Sequence, residues 1–211
     1  MSDGTSSPQK RLPGPILVTG ATGFLGGVLV RRILANGVAP ERLRCVVRDV
    51  DRARKGGLPA ACLVAADLSD PGCGAQLRQA ADGVEVVVHL AGSLKAYDRR
   101  GFEDVNVHGT ERLVDAIKAV SAGAHFVHVS SLAAAGPSLD GGGSDAPADR
   151  CRTVSSYGES KRRGELLVVS SGLPFTILRP PVVYGPGDGA TQLLFRQALG
   201  LITAMPLRAR P

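Results

Sequence analysis

Tyr157 and Lys161, four residues apart in "SSYGESKRRGE", are the pair in this sequence best placed to move a proton. Residues at i and i+4 share one face of a helix. Ser156 and Glu159 read as an S-x-x-E capping box that starts that helix at Tyr157. A free phenol titrates near pH ~10 and keeps its proton at neutrality. An ammonium beside it favours the phenolate and lowers that value, so Tyr157 could give or take a proton at a reacting carbon. A Tyr-x-x-x-Lys pair is common by chance, and its surroundings decide its meaning.

The second group of chemical interest is "LVTGATGFLGGVLVRRIL", Leu17 to Leu34. Gly20, Gly23 and Gly26 are spaced G-x-x-G-x-x-G between an apolar run and a helical pattern. Gly20 allows a tight turn out of a strand, Gly23 lets backbone approach a pyrophosphate, and Gly26 lets the helix pack closely on a sheet. The free N–H groups of the helix N-terminus then face the phosphates. Ala91 and Gly92, in "HLAG", are small where a cofactor would pass close to backbone.

These groups need a scaffold, and the chain alternates apolar runs with helical patterns. Strands are expected at Ile16–Gly20, Leu43–Asp49, Ala61–Leu68, "VEVVVHLAG", "HFVHVSS" and "PFTILRP". Helices are expected at about 23–36, 74–81, 102–120 and 157–170, the third anchored by Val105, Leu113, Ile117 and Val120. A Gly-, Pro- and Asp-rich loop spans about 136–153. The strands are nearly continuous apolar runs, as in sheets covered on both faces. Six strands interleaved with helices predict an α/β, doubly wound parallel sheet. Residues 1–13 read as a disordered leader, 14–180 as the sheet domain and 181–211 as the start of a second lobe with one helix at about 191–203.

Composition narrows the function. The chain has 211 residues and a formal charge of +6, but its basic residues are scattered and only 4% of residues are aromatic. That argues for solvated helix faces and against a nucleic-acid surface. No run reaches the ~18 apolar residues of a membrane helix, and the N-terminus has no secretory apolar region, so the expected location is cytoplasmic. The four cysteines form no C-x-x-C and read as reduced thiols. His125 and His128 fall on opposite faces of a strand, and no metal site is expected.

"TGATGFLG", "AADLSD", "NVHGT", "HVSSLAAAG" and "SSYGESKRRGE" together resemble the extended branch of the short-chain dehydrogenase/reductase superfamily, with its NAD(P)-dependent epimerases, dehydratases and reductases. The resemblance runs from Ile16 to about Asp188 and implies a Rossmann fold. It implies that Gly20, Thr22, Gly23, Phe24, Leu25 and Gly26 hold the cofactor, and that Asp67 and Leu68 flank its adenine. It selects Ser131 rather than Ser130 to polarise a substrate carbonyl or alcohol. Tyr157 is then the acid/base. Lys161 is its electrostatic partner and holds the nicotinamide ribose. Asn106 braces the site or joins a proton relay, though a purely structural hydrogen bond is open on chemistry alone. After Arg179-Pro180, the backbone of Pro181 and Val183 would face the nicotinamide amide.

The end of the second strand bears on the cofactor. An acidic residue there bonds the ribose 2′-OH of NAD, whereas an arginine accommodates the 2′-phosphate of NADP. "CVVRD" puts Arg48 first and Asp49 next, which favours NADP and keeps NAD open. Val182 stands near the place of an asparagine in sugar-nucleotide enzymes. That looks more like the dihydroflavonol-reductase and 3-beta-hydroxysteroid-dehydrogenase relatives. Lys95 and Tyr97 are either substrate contacts or ordinary loop residues. The expected function is NAD(P)-dependent hydride transfer between nicotinamide and a carbonyl or alcohol carbon of a small molecule. The alternatives are a nucleotide-sugar epimerase or dehydratase, and a non-catalytic NADP-binding regulatory or assembly protein. Relatives build most of the substrate lobe beyond this length, so the chain reads as truncated. By analogy with relatives, helices 102–120 and 157–170 could pair in a homodimer.

Overall fold

The structure is a computed structural model and describes residues 14–94, 99–138, 147 and 150–189. The chain divides into two compact units, Met1–Pro181 and Val182–Pro211. The first holds a sheet of six parallel strands: β1 (Ile16–Thr19), β2 (Leu43–Val47), β3 (Leu63–Ala65), β4 (Val86–His89), β5 (His125–Val129) and β6 (Phe175–Leu178). Their order is β3-β2-β1-β4-β5-β6, with every adjacent pair parallel. The chain reverses its direction of travel across the sheet between β1 and β4. That reversal opens the crevice where ligands bind in such sheets.

Each strand puts alternate residues on opposite faces. Ile16, Val18, Cys45 and Val47 pack with Val30 and Ile33 of α1 (Phe24–Ala35) and Ala53 of α2 (Val50–Lys55). Leu17, Val46, Val87 and Phe126 pack on the other face with Leu77 of α3 (Gly74–Ala81), Leu113 and Ile117 of α5 (Thr110–Val120), and Val168 of α7 (Ser156–Val169). The expected anchor Val120 is instead 37% exposed. Central β1 is buried throughout, but β3 and β6, at the edges, are half-exposed or exposed, so double coverage holds only in the middle of the sheet. Cys45, Cys62 and Cys73 are buried, and all four cysteines are free thiols.

The expected helix at 102–120 is longer and interrupted. It begins as α4 (Arg99–Glu103), widens into a π turn at Asp104–Gly109 and continues as α5. A π turn adds a residue to the helical repeat and re-aims the side chains on it. Helix α7 starts at Ser156, with Ser155 rather than Ser156 as its N-cap: Gly158 N–H donates to Ser155 Oγ at 3.0 Å. The expected capping box is not formed, because Glu159 accepts from Thr153 Oγ1 and Arg162 instead. The short helices α2 and α6 (Leu132–Ala135) were not expected from the sequence. In the second unit the described residues include a turn closed by Asp188 N–H to the Gly185 carbonyl at 3.0 Å. The helix expected at 191–203 lies outside the described residues, as do Lys95 and Tyr97.

One ion pair fastens α7 to the end of β6. The Arg179 guanidinium donates to both carboxylate oxygens of Glu165, at 2.9 and 2.6 Å. Glu165 is fully buried, and the Arg179 side chain is 11% exposed. Fork geometry strengthens such a pair, but removing one partner strands a charge in the interior. Arg179→Ala is expected to lower the unfolding free energy by about 3–5 kcal/mol. Urea denaturation should show that Glu165→Leu combined with Arg179→Met recovers much of that loss.

Candidate functional site

The groove lies over the carboxyl ends of β1, β2 and β4. A cavity of about 280 Å³ there is lined by Gly20, Thr22 and Gly23 of the loop, Arg48 after β2, Asp67 and Leu68 after β3, and Ala91 and Gly92 after β4. All eight are among the expected cofactor residues. Gly20 has φ +70°, and a Cβ there would stand 2.7 Å from Ala91 N. Only glycine lets this turn lie against the end of β4. A Cβ at Gly26 would overlap the Gly20 carbonyl oxygen, so the first turn of α1 is packed directly on the loop. Phe24 and Leu25 are half-buried in that first turn and do not line the cavity.

The arrangement fits a dinucleotide's phosphates. Helix α1 has no side-chain cap at its N-terminus and no acidic residue in its first turn. Its leading N–H groups therefore suit an anion. Asp67 Oδ1 accepts from Ser69 N–H at 2.9 Å and Ser69 Oγ at 2.7 Å. Burial pushes this carboxyl up, but those bonds and the nearby Arg48 guanidinium outweigh it and hold it below the usual range. Arg48 and Asp49 are both exposed, but only Arg48 lines the groove. Asp49 caps α2, its Oδ1 accepting from Arg52 N–H at 2.9 Å. A wider hollow of about 640 Å³ at the opposite edge of the sheet includes Glu85 and His125. Glu85 Oε2 accepts from Gly14 N–H, and His125 Nε2 is bonded to Thr176 Oγ1.

The residues expected to handle a proton lie beside the groove. Ser131 stands near enough to Tyr157 to bear on its phenol. Ser131 Oγ accepts from Ala133 N–H at 3.2 Å as the N-cap of α6. Lys161 is 4% exposed, and its Nζ donates to the Val129 carbonyl at 2.9 Å. Burial pushes Lys161 down to about 8, against an upward pull from Glu165. Gly92 connects groove and lysine: a Cβ there would stand 3.8 Å from Lys161 Nζ and 3.1 Å from Asn106 Oδ1. The sequence argument lowers the Tyr157 phenol, but here burial pushes it up and Ser131 pulls it only partway back. Desolvation of the phenolate outweighs the local help. Pro181 ends the first unit and Val183 lies in the second.

Asn106 is 1% exposed on the π turn. Its Oδ1 accepts from Ser93 N–H at 2.8 Å, and its Nδ2 donates to the Ser93 carbonyl at 3.2 Å and to Ser160 Oγ at 2.9 Å. Ser160 Oγ donates in turn to the Tyr157 carbonyl at 2.7 Å. Sequence reasoning missed Ser93, Ser160 and Gly164, where a Cβ would stand 2.8 Å from the Asn106 carbonyl oxygen. It also missed His89, which is fully buried and bonded on both ring nitrogens, to Thr19 Oγ1 at 2.7 Å and Thr110 Oγ1 at 2.9 Å. A histidine ending the apolar run "VVVH" was the available signal.

A family model described as the NAD dependent epimerase/dehydratase family matches residues 16–205. The chain is 40% identical over 185 residues to the ceramide reductase of Caulobacter vibrioides, which covers 88% of this chain and 51% of that protein. It is 36% identical over 191 residues to sterol demethylase protein B of Methylococcus capsulatus, covering 87% and 56%. Among solved structures, a double mutant of DesIV, a dTDP-glucose 4,6-dehydratase from Streptomyces venezuelae with NAD and DAU bound, is similar at a TM-score of 0.70. It is 27% identical and covers 87% of this chain and 62% of that one. The chain spans about half the length of the curated relatives it matches. Among the described residues no helix is long and apolar enough to cross a membrane, and no cluster of His, Cys, Asp and Glu could hold a metal.

The buried lysine has a measurable signature. Its folded value of about 8 lies below its unfolded value. Between those values the unfolded chain binds the proton and the folded chain does not, so the unfolding free energy rises with pH. Urea denaturation from pH 8 to 10.5 is expected to show stability rising in the native chain relative to Lys161→Met, by up to roughly 3 kcal/mol. Parallel curves for the two proteins would mean that Lys161 titrates normally.

Proposed function

We propose that this chain, which belongs to the NAD dependent epimerase/dehydratase family, carries the dinucleotide site of an oxidoreductase that interconverts a carbonyl and an alcohol on an apolar small molecule. The supporting observation is the junction at Gly92, where the glycine-loop groove meets the buried Lys161 beside the Ser131–Tyr157 pair. When bound, the dinucleotide supplies or takes up a hydride. Ser131 and Tyr157 offer two hydroxyls to one substrate oxygen. Tyr157 gives its proton as that oxygen gains charge, and takes one back in the reverse direction. Lys161, one turn along α7, supplies positive charge that stabilises the phenolate. Asn106 fixes Ser93 and the first turn of α7, and so keeps these groups in register.

NADP is the favoured dinucleotide. Arg48 lines the groove while the Asp49 carboxylate is taken up by the α2 N-terminus. An arginine at this place suits a 2′-phosphate. An apolar substrate agrees with the names of the ceramide reductase and sterol demethylase relatives. The second reading is a nucleotide-sugar dehydratase or epimerase, favoured by the likeness to the DesIV dehydratase. The third is a non-catalytic NADP-binding protein.

Two measurements separate these readings. Titration of the full chain with NADPH and NADH should give tighter NADPH binding, and Arg48→Ala should remove the difference; equal affinities in the native chain would overturn the NADP assignment. In a panel of apolar ketones, apolar alcohols and nucleotide sugars, turnover should appear with the apolar compounds. Tyr157→Phe should lower that turnover by about 100-fold or more while leaving dinucleotide binding intact. Turnover of nucleotide sugars alone would select the second reading, and no turnover anywhere the third.

A further inference from the structure

One row of residues crosses the sheet at its carboxyl edge. In register it runs Val46, Thr19, His89, His128, Ile177. It lies just above the apolar core formed by Leu17, Val87 and Phe126. The two histidines are neighbours, with ring centroids 5.3 Å apart, and both are fully buried. They differ sharply in bonding. Neither ring nitrogen of His128 has a hydrogen-bond partner among the described residues, whereas both nitrogens of His89 do. Burial in this row therefore does not supply partners by itself, and the His89 contacts are specific.

The donors and acceptors around His89 admit one arrangement for a neutral ring. The Asn106 main-chain carbonyl can only accept, so the 2.8 Å contact from Thr110 Oγ1 uses the single hydroxyl proton of Thr110. Thr110 Oγ1 must then accept from His89, which puts the imidazole proton on Nε2. His89 Nδ1 is left as an acceptor and receives the Thr19 hydroxyl proton. Thr19 Oγ1 accepts Ala91 N–H at 3.1 Å, which closes the chain with no donor or acceptor duplicated. Burial and the nearby Lys161 charge hold His89 far below the ordinary histidine range, to about 3, which keeps the ring neutral.

We propose that His89, as the neutral tautomer with its proton on Nε2, is the positioning residue that sets Asn106 through Thr110, and thereby fixes the Ser93 backbone and the first turn of α7. One imidazole joins three separate parts of the site. On the Nδ1 side it holds Thr19, the residue before Gly20, against Ala91. On the Nε2 side it holds the carbonyl of the π turn. From Asn106 the constraint passes to Ser93 and, through Ser160, to the carbonyl of Tyr157. The role follows from geometry alone and holds for any substrate or dinucleotide, so it can fail without the proposed function failing, and the reverse.

The test uses the full chain labelled with ¹⁵N and needs no substrate. Long-range ¹H–¹⁵N correlation spectra of the native protein at neutral pH are expected to show His89 protonated on Nε2 only. Protonation on Nδ1, or on both nitrogens, overturns the proposal. Amide hydrogen exchange then reads the relay, because Ser93 N–H is held by Asn106 Oδ1. Thr110→Val removes one hydroxyl and should speed exchange at Ser93 by about tenfold, the scale of one lost hydrogen bond. Val18, in the β1 ladder, should keep its protection, and Thr110→Ser should restore Ser93. Loss of protection at Ser93 and Val18 alike would mark a merely structural residue and overturn the proposal, as would unchanged exchange at Ser93. Should Thr110→Val fail to fold, the tautomer in the native chain and the Ser93 rate in Thr110→Ser still decide it.

Discussion

The Lys161 ammonium is taken out of water, and much of the site follows from accommodating it. Lys161 has one main-chain carbonyl, that of Val129, within hydrogen-bonding distance. Its nearest compensating carboxylate, Glu165, is already forked to Arg179. The positive charge is therefore only partly balanced, and its neighbours must not add to it. His89 and His128 both face that charge from the sheet, and burial together with Lys161 drives each well below the ordinary histidine range. Two neutral imidazoles let a cation sit in the interior, where two imidazolium rings would expel it.

This requirement explains why the carboxyl edge of the sheet is polar where the rest is not. Leu17, Val87 and Phe126 fill one face with hydrocarbon, and two residues further along the same strands, on the same face, stand Thr19, His89 and His128. Hydrogen-bond partners stabilise polar side chains in a dense interior, and His89 has them where His128 has none among the described residues. Thr19, Thr110, Asn106 and Ser160 supply such partners around His89. Backbone must also come unusually close. Gly20 lies against Ala91, Gly92 leaves space beside Lys161, and Gly164 lets α7 lie on the π turn. A Cβ at Gly20 or Gly164 would meet backbone at 2.7 or 2.8 Å and push the loop away from β4, or α7 away from the π turn.

How much of this is visible in the sequence depends on the range of each interaction. The glycine loop and the Tyr157–Lys161 spacing are local, set by turn and helix geometry, and both are legible. The parallel, doubly wound class of the sheet follows from alternating strands and helices under strict rules of connection. The α7 cap was misassigned because two adjacent serines offer equivalent local chemistry and only the tertiary partners of Glu159 separate them. The direction of the Tyr157 shift was misjudged because spacing reports a neighbouring charge and says nothing of burial. The π turn left no signal in the "FEDVNVHGT" pattern. The His89 relay was illegible for a stronger reason. It joins residues 19, 89, 91, 106 and 110, and needs the register of β1 on β4 before any of them can be paired.

The likeness to other proteins is divided in a physically sensible way. Proteins named for a lipid, a sterol step and a nucleotide sugar all match this chain over nearly nine-tenths of its length, while it spans only half to two-thirds of theirs. The matched portion of this chain contains the glycine loop, the six-stranded sheet and α7. Substrate choice demands shape and polarity at one reacting oxygen. In the proposed site, the hydroxyls of Ser131 and Tyr157 would address any carbonyl alike and carry no information about what is attached to it. Specificity within such a family must therefore be imposed by other contacts around a constant reacting centre. Arg48 lines the glycine-loop groove, so its type bears on the choice of dinucleotide rather than of substrate.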